Sequence, residues 1–287
     1  MGNMRAIAVA VLALAACGED HAKPDAQIVI QDAPPIDMQV FEDAPPPNYD
    51  FTCFGMAEPT TADDPITLSG NTVELGQGGT TPVANVAVDV FDNGSATAIG
   101  TATSDATGAF TTGDITTGGM PIDGYVRAQE PAPDPQDPTS FPAHRTTYMY
   151  PPSPVAASMA NVPVLMMSNA TFDQISGFLG DQDDTMNGAL FFVVTDCSDI
   201  STQTLVGDAT VHVQQNGMDV GNLVGLDILD ASLAGTYVVL NVPDGETQIT
   251  ASYDGMDYPT RTVVAHKKPA GDNAVGTLTF TIVRPGP

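Results

Sequence analysis

The chain has no tryptophan and very little positive charge. Its 287 residues include 8 Lys and Arg against 35 Asp and Glu, which gives a formal net charge of -27 and a pI near 4.1. A surface of this charge repels the phosphate backbone of nucleic acids, so DNA and RNA are excluded as partners. The absence of tryptophan also removes the side chain that stacks best against flat ligands.

Glutamate is scarce as well, because only six of the acidic residues are Glu, whereas the chain contains 27 Gly and 24 Pro. Strong helix formers are therefore rare and turn-forming residues are frequent. The composition predicts an all-β protein. Its 42% hydrophobic content is sufficient for one large domain or two of ordinary size.

Motifs for catalysis are missing from the sequence. None of the four histidines is followed by Glu at the spacing of a zinc peptidase. There is no Gly-x-Ser-x-Gly elbow, no phosphate-binding loop and no dinucleotide fingerprint. We therefore predict a protein that is not an enzyme and has no cofactor. A triad assembled from distant residues leaves no local pattern, so a hydrolase with an unrecognised site stays open as an alternative.

One apolar run near the N-terminus, residues 6–16 after Arg5, is too short to span a bilayer and fits a secretory signal. It ends in Leu14-Ala15-Ala16-Cys17, which resembles the bacterial lipobox. This resemblance implies a signal peptide over residues 1–16 and lipidation of Cys17, so that acyl chains anchor the protein to the membrane. Gly18 is not the Asp associated with inner-membrane retention, which favours the outer membrane. An ordinary signal peptide with an incidental Cys is the alternative.

Residues 17–58 are predicted to be a disordered tether rich in Asp, Ala and Pro. Proline fixes φ and removes hydrogen-bond donors while like charges repel, so an extended spacer is expected. Two short apolar stretches, residues 28–30 and 38–41, leave a docking strand open as an alternative to a fluctuating linker.

The rest of the chain predicts two β-sandwich domains, over residues 59–168 and 188–287, because apolar residues alternate and turns are frequent. Between them, residues 169–187 form a linker with a short helix at 172–179 behind a Thr171–Gln174 capping box, and a strand through 175–179 competes with it. Pro243-Asp244-Gly245 and Asp254-Gly255 predict consecutive hairpins. The strands are expected at 66–73, 82–91, 98–103, 109–112, 124–129, 146–150 and 162–166, then at 189–194, 209–215, 224–229, 236–242, 247–253, 261–266 and 277–282.

The last strand alternates most regularly, with Leu278, Phe280 and Ile282 on one face and threonines on the other, so it is expected to be half-buried. Residues 82–90 also align without a gap on residues 205–213, and 108–110 resemble 235–237. This internal match predicts a duplicated module.

Several turn motifs resemble those of carboxypeptidase regulatory-like domains, including Pro82 to Val90, Thr103 to Phe110, and Asn241-Val242-Pro243-Asp244-Gly245. The resemblance implies Greek-key, transthyretin-like sandwiches and the organisation of multidomain Gram-negative lipoproteins. Its motifs concern turns and strands, so it identifies a fold rather than an activity.

An oxygen-rich cluster, Asp181, Asp183, Asp184 and Asn187, is the one candidate for a metal site. Alternating acids at a turn can surround a hard cation, although the spacing is not that of an EF-hand and a solvated turn is the alternative. Calcium is thus a possible ligand on sequence grounds.

Two cysteines, Cys53 and Cys197, remain once Cys17 carries lipid, and an even pair in an exported protein predicts a disulfide. Free thiols are the alternative. The predicted function is a non-enzymatic, lipid-anchored display, scaffold or interaction module of the cell envelope. A glycan- or peptide-binding module, with Tyr148 and Tyr150 as a stacking platform, is the main alternative, and the partner and oligomeric state are not specified by the sequence.

Overall fold

The computed structural model describes residues 49–76, 79–131, 142–198, 204–229, 231–269 and 275–287. The predicted signal peptide, Cys17 and the tether up to residue 48 lie outside these ranges. The described chain is built from strands, with one α-helix, α1 (Asn169–Leu179), and two 3-10 helices, Leu226–Ile228 and Ala231–Leu233. The all-β prediction is confirmed. Among the described residues no helix is long and apolar enough to cross a membrane.

The first half of the described chain contains eight strands, which we call the first repeat: β1 (Leu68–Gly76), β2 (Gly79–Pro82), β3 (Ala87–Asp92), β4 (Gly100–Thr103), β5 (Ala109–Thr111), β6 (Gly124–Gln129), β7 (Thr146–Tyr150) and β8 (Met159–Met166). The second repeat contains nine: β9 (Asn187–Val194), β10 (Thr210–Gln215), β11 (Met218–Asp219), β12 (Asn222–Gly225), β13 (Thr236–Pro243), β14 (Gly245–Tyr253), β15 (Met256–Asp257), β16 (Arg261–Ala265) and β17 (Thr277–Val283).

The two repeats have the same strand connectivity. In the first, β1 pairs with β5 and, in parallel, with β8, while β4, β3, β6 and β7 lie side by side. In the second, β9 pairs with β13 and, in parallel, with β17, while β11, β10, β14 and β16 lie side by side. The sequence match of 82–90 with 205–213 thus corresponds to matching strands, β3 and β10, in agreement with a duplicated module.

One eight-stranded sheet runs through both repeats, in the order β12-β13-β9-β17-β7-β6-β3-β4. The repeats meet where β7 pairs in parallel with β17, from Thr146 opposite Thr277 to Tyr150 opposite Thr281. Strands of both predicted domains therefore share backbone hydrogen bonds, which two independent tandem sandwiches would not do. The domain boundaries themselves stay predictions.

The two smaller sheets cover opposite faces of this large sheet. Met149 of β7 points to the face that packs against β8 in the first repeat and against α1 in the second. Its neighbour Tyr150 points to the other face, where the β10-β14-β16 sheet packs in the second repeat. Side chains alternate between the two faces along a strand. One face of the large sheet is therefore covered by the small sheet of the first repeat, and the other face by the small sheet of the second repeat.

Strand β17 departs from the prediction, since both of its faces are buried. Thr277, Thr279 and Thr281 are 1%, 1% and 6% exposed. Their hydroxyls donate to main-chain carbonyls of His266, Val264 and Tyr150, respectively, which satisfies these polar groups inside the core. The expectation of a half-buried strand is wrong because β17 lies between β7 and β9 in a sheet that is covered on both sides.

Three local predictions are also corrected. Pro243-Asp244-Gly245 does not close a hairpin, because β13 and β14 belong to different sheets, whereas the Asp254-Gly255 hairpin joins β14 and β15. The strand expected at 224–229 ends at Gly225, and a 3-10 helix follows it at Leu226–Ile228. Helix α1 forms as predicted but begins earlier, because Ser168, rather than Thr171, is the N-cap and accepts from the Thr171 N–H.

Candidate functional site

The segment over residues 49–56 lies against the second repeat and is fixed there by the disulfide between Cys53 and Cys197. The two Cα atoms are 5.5 Å apart. The predicted pairing is confirmed. Backbone contacts reinforce it, since the Cys197 N–H donates to the Asp50 carbonyl at 2.7 Å and Gly286 approaches the Cys53 carbonyl so closely that a Cβ atom would not fit. We call this region the staple.

Asp196 is the polar centre of the staple, with 1% exposure. Its carboxylate accepts from the Asp50 N–H at 3.0 Å and from the hydroxyl and N–H of Ser198. Burial acts to raise the pKa of Asp196, but these hydrogen bonds outweigh it and hold the pKa below its ordinary value. The carboxylate is therefore ionised at neutral pH and ties the tether segment to the loop after β9.

Aromatic side chains extend the staple. Tyr49 meets Tyr253 edge to face at a centroid distance of 5.2 Å, and Phe51 stacks on the same ring at 5.6 Å. Phe51 also contacts Tyr258, which is buried in the core of the second repeat. Tyr49, Phe51 and Cys53 thus pack against the second repeat, and the extent of the tether stays a prediction.

A second connection joins the linker helix to the first repeat. Arg145, just before β7, is 4% exposed and donates through two nitrogens to both carboxylate oxygens of Asp184, at 2.8 and 2.6 Å. Its guanidinium also lies over the ring of Phe172 in α1, 3.5 Å from the centroid. Gly276 packs so close to this pair that a side chain there would overlap it.

His144, two residues before β7, lies between two glutamates. His144 Nδ1 lies 2.8 Å from Glu130 Oε1, and Nε2 lies 3.3 Å from Glu74 Oε2 without hydrogen-bond geometry. Burial acts to lower the pKa of His144, but the two carboxylates outweigh it and raise the pKa above its ordinary value. The ring therefore carries more positive charge near neutral pH than a free histidine.

The residues predicted to bind calcium have other partners. Asp184 holds Arg145, and Asp183 accepts from the N–H and hydroxyl of Thr185. The main-chain carbonyl of Asp181 accepts from the Asn241 amide, and the Asn187 N–H donates to the Asp183 carbonyl. Within the described part of the chain no three His, Cys, Asp or Glu residues form a group suited to a metal ion. The structure therefore does not gather Asp181, Asp183, Asp184 and Asn187 into a ligand set, and calcium binding stays a prediction without structural support.

The two tyrosines considered as a stacking platform lie on one face of β7, as the sequence indicated. Tyr150 is 3% exposed, and its hydroxyl accepts from the Val264 N–H at 3.1 Å. Tyr148 is stacked on His266 at 3.8 Å. The Tyr150 ring is therefore buried, and one face of the Tyr148 ring is covered by His266.

No local pattern predicts the Arg145–Asp184 pair or the His144 cluster, because their members come from distant elements. The scarcity of cations is the one available signal. Because the chain has 8 Lys and Arg against 35 acidic residues, each arginine is a candidate partner for a buried carboxylate.

No protein-family model and no curated protein matches the chain. Solved structures similar to it include the Bacillus anthracis TIE protein, at 10% identity and a TM-score of 0.22, where 76% of this chain covers 34% of that one. GBS52, the minor pilin of Streptococcus agalactiae, is 10% identical with a TM-score of 0.23, over 77% of this chain and 97% of that one. A fimbrial protein from Bacteroides ovatus ATCC 8483 is 9% identical with a TM-score of 0.20, over 76% and 50%. The chain thus spans about a third of the first of these proteins, and no residue role is carried over from any of them.

Proposed function

We propose that the chain is a non-enzymatic display or scaffold protein of the bacterial cell envelope, held by a lipid on Cys17, in which two β-sandwich repeats form one stiff unit. The observation that carries this proposal is the parallel pairing of β7 with β17. Main-chain hydrogen bonds and a shared sheet fix the relative orientation of the repeats, which a flexible linker would leave free.

The staple supports an anchored arrangement. It holds residues 50–53 against the second repeat, which supports a single attachment point for a tether that precedes them. A disulfide is also typical of an exported protein, in agreement with the lipobox and signal peptide proposed from the sequence. Residence in the outer membrane, and membership among lipoproteins with carboxypeptidase regulatory-like domains, belong to the same proposal.

A glycan-binding role through Tyr148 and Tyr150 is less well supported, since Tyr150 is buried and Tyr148 is stacked on His266. We therefore expect any binding of envelope glycans to use a different surface. A glycan array on the full chain is therefore an arm of the test, and retention of a glycan that survives Tyr148→Ala would point to that other surface.

Stiffness is tested by distance measurement between spin labels. One label is placed on Thr101 of the first repeat and one on Met218 of the second, both exposed, with the disulfide kept oxidised. We expect a single narrow distance distribution, as narrow as that of a control pair within the first repeat, Thr101 and Asp123. A broad or two-peaked distribution for the first pair alone would contradict the proposal.

Anchoring is tested by fractionation. Cys17→Ser is expected to move the protein from the membrane fraction to the soluble or uncleaved pool, while Cys53→Ser, which leaves the lipobox intact, stays in the membrane fraction. If Cys17→Ser partitions like the natural chain, the lipid anchor is wrong.

A further inference from the structure

A small cavity lies where the staple segment, the start of β16 and the last residues of the chain meet. Its volume is about 120 Å³, and its wall includes Met56, Glu58, Pro152, Arg261 and Arg284. Because a water molecule needs only about 10–15 Å³ of such volume, the cavity has room for a small polyatomic ion. Pro152 belongs to the first repeat and the other residues lie beside the second, so the cavity spans the junction.

Two arginines line this cavity. Arg261 donates through Nη2 to the Pro151 carbonyl, and Arg284 donates through Nη2 to the Cys197 carbonyl at 3.1 Å. Neither guanidinium has a carboxylate oxygen within 4 Å among the described residues. Each cation is therefore held by neutral main-chain groups.

The other two arginines of the described chain differ in this respect. Arg127 pairs with Asp89 at 2.7 Å and Arg145 pairs with Asp184 at 2.6 Å. The Nε atoms of all four are buried without a hydrogen-bond partner, so the missing carboxylate is what distinguishes the cavity pair. In a chain with 35 acidic residues, it is unexpected that two arginines line one cavity and that neither has a carboxylate partner.

Burying a charge without a counter-charge is unfavourable. Burial lowers the pKa of Arg261 from its ordinary value, with Asp123 and Glu58 acting against this effect. Glu58 lines the cavity but is exposed and makes no ion pair with either arginine. Pro287, the last residue of the chain, also lines the cavity, and the side chains of its wall carry two positive charges and one negative charge.

We propose that this cavity binds a small oxyanion of the phosphate type, with Arg261 and Arg284 as its ligands. Guanidinium groups are planar forks that match the oxygens of such ions, and two of them favour a doubly charged anion over a singly charged carboxylate. The bound ion ties the staple segment, β16 and the C-terminal residues together. It therefore stabilises the junction of the repeats, a role that goes beyond display itself.

The test is calorimetric titration of the full chain in detergent with inorganic phosphate, at constant ionic strength, together with thermal unfolding. We expect binding at a stoichiometry of one and a saturable rise in Tm that sodium chloride does not reproduce. Acetate is expected to bind at least tenfold more weakly. The absence of saturable phosphate binding, or equal binding of acetate, would overturn the proposal.

Variants locate the site. Arg261→Gln and Arg284→Gln are each expected to weaken phosphate binding at least tenfold, whereas Arg127→Gln, which removes an arginine remote from the cavity, leaves it unchanged. Glu58→Gln removes a repelling charge and is expected to tighten binding several-fold, which keeps the test valid if an arginine variant fails to fold. Unchanged affinity in Glu58→Gln, or in both cavity variants, would contradict the assignment.

The source of the phosphate is distinguished by a second ligand, a short-chain soluble phosphatidic acid. Tighter binding of this lipid than of inorganic phosphate assigns a phosphate carried on a headgroup, and equal or weaker binding assigns the free ion. In either case, we expect Arg261→Gln and Arg284→Gln to weaken the binding.

Discussion

The two repeats use the same strand order, but their last strands have different environments. Among the described strands of the first repeat β8 pairs with β1 alone, whereas its counterpart β17 pairs with β9 and β7. The sequence of β8 contains Pro163 and places Asn161 at a φ of 60°, while β17 is an unbroken run of apolar and β-branched residues. Proline lacks an N–H and favours a sheet edge. Each sequence is therefore compatible with its strand's position, and the pairing partners determine which strand is central.

The strands on the other side of the junction show a matching difference. Strand β7 offers its free edge to β17, whereas the equivalent edge of β16 is covered. The Val264 N–H donates to the Tyr150 hydroxyl, and the Val264 carbonyl accepts from Thr279. Side-chain hydroxyls thus replace a neighbouring strand at β16, which prevents further growth of that sheet.

The largest expected effect comes from removing the staple, which only the second repeat has. Replacement of Cys53 and Cys197 by Ala opens a loop of 144 residues. In the chain-entropy model this lowers the free energy of unfolding by about 4–5 kcal/mol. Chemical denaturation of the oxidised chain and the double variant measures it. Equal stability of the two, or free thiols at both positions in peptide mapping of the natural protein, would contradict the staple.

The second-largest effect is expected when proline, a residue suited to an edge strand, is placed in the central strand β17. Thr279→Pro removes an N–H from β17 and is expected to destabilise the protein by about 3 kcal/mol, because a buried ladder bond is lost and the ring is crowded. Pro163→Ala in β8 is the matched control and is expected to change stability by less than about 1 kcal/mol. Denaturant midpoints of the two variants give the comparison, and similar losses in both would mean that β17 is not a central strand.

A smaller effect is expected where the linker helix contacts the first repeat. Asp184→Asn leaves the buried Arg145 charge without a carboxylate and is expected to lower the unfolding free energy by about 2–3 kcal/mol. Arg145→Met leaves the more exposed Asp184 carboxylate, so its loss is expected to be smaller. Urea unfolding of both variants tests the order. A larger loss for Arg145→Met would show that its packing on Phe172 outweighs the charge.

The smallest effect is a difference in pH dependence between one histidine of each repeat. The pKa of His144 is raised, so its contribution to stability is complete below about pH 6.5 and declines as the pH rises through the folded value. Burial lowers the pKa of His266, so its contribution is complete above about pH 6.5 and declines as the pH falls.

Thermal unfolding between pH 5 and 9 separates the two histidines. His144→Gln is expected to flatten the alkaline side of the stability profile and His266→Gln the acidic side. The same flattening in both variants would contradict the opposite environments.

Sequence reasoning located most strands because their alternation and turns are local. Strands β6 and β7 have the predicted bounds, since Gly and Pro mark their ends. It failed where burial and strand pairing depend on residues that are distant in the sequence. The burial of Thr279 depends on β7 and on β16, and the turn after Pro243 passes between sheets instead of closing a hairpin, for reasons that lie in tertiary pairing. The disulfide could be predicted because it follows from the number of cysteines and needs no geometry. The presence of Arg261 and Arg284 in one cavity could not be predicted, because it depends on the path of the C-terminal residues through the fold.

The disulfide also determines which part of the molecule would carry tension. All of β1 to β8 lies between Cys53 and Cys197, so the whole first repeat is enclosed in a covalent ring. A pull between a point before Cys53 and any point beyond residue 197 passes directly through the sulfur atoms and bypasses the first repeat. The enclosed residues then add no length under force. Reduction would release 144 residues, at about 3.4 Å each an extension on the order of 500 Å, so the bond would set how far the protein can reach under load.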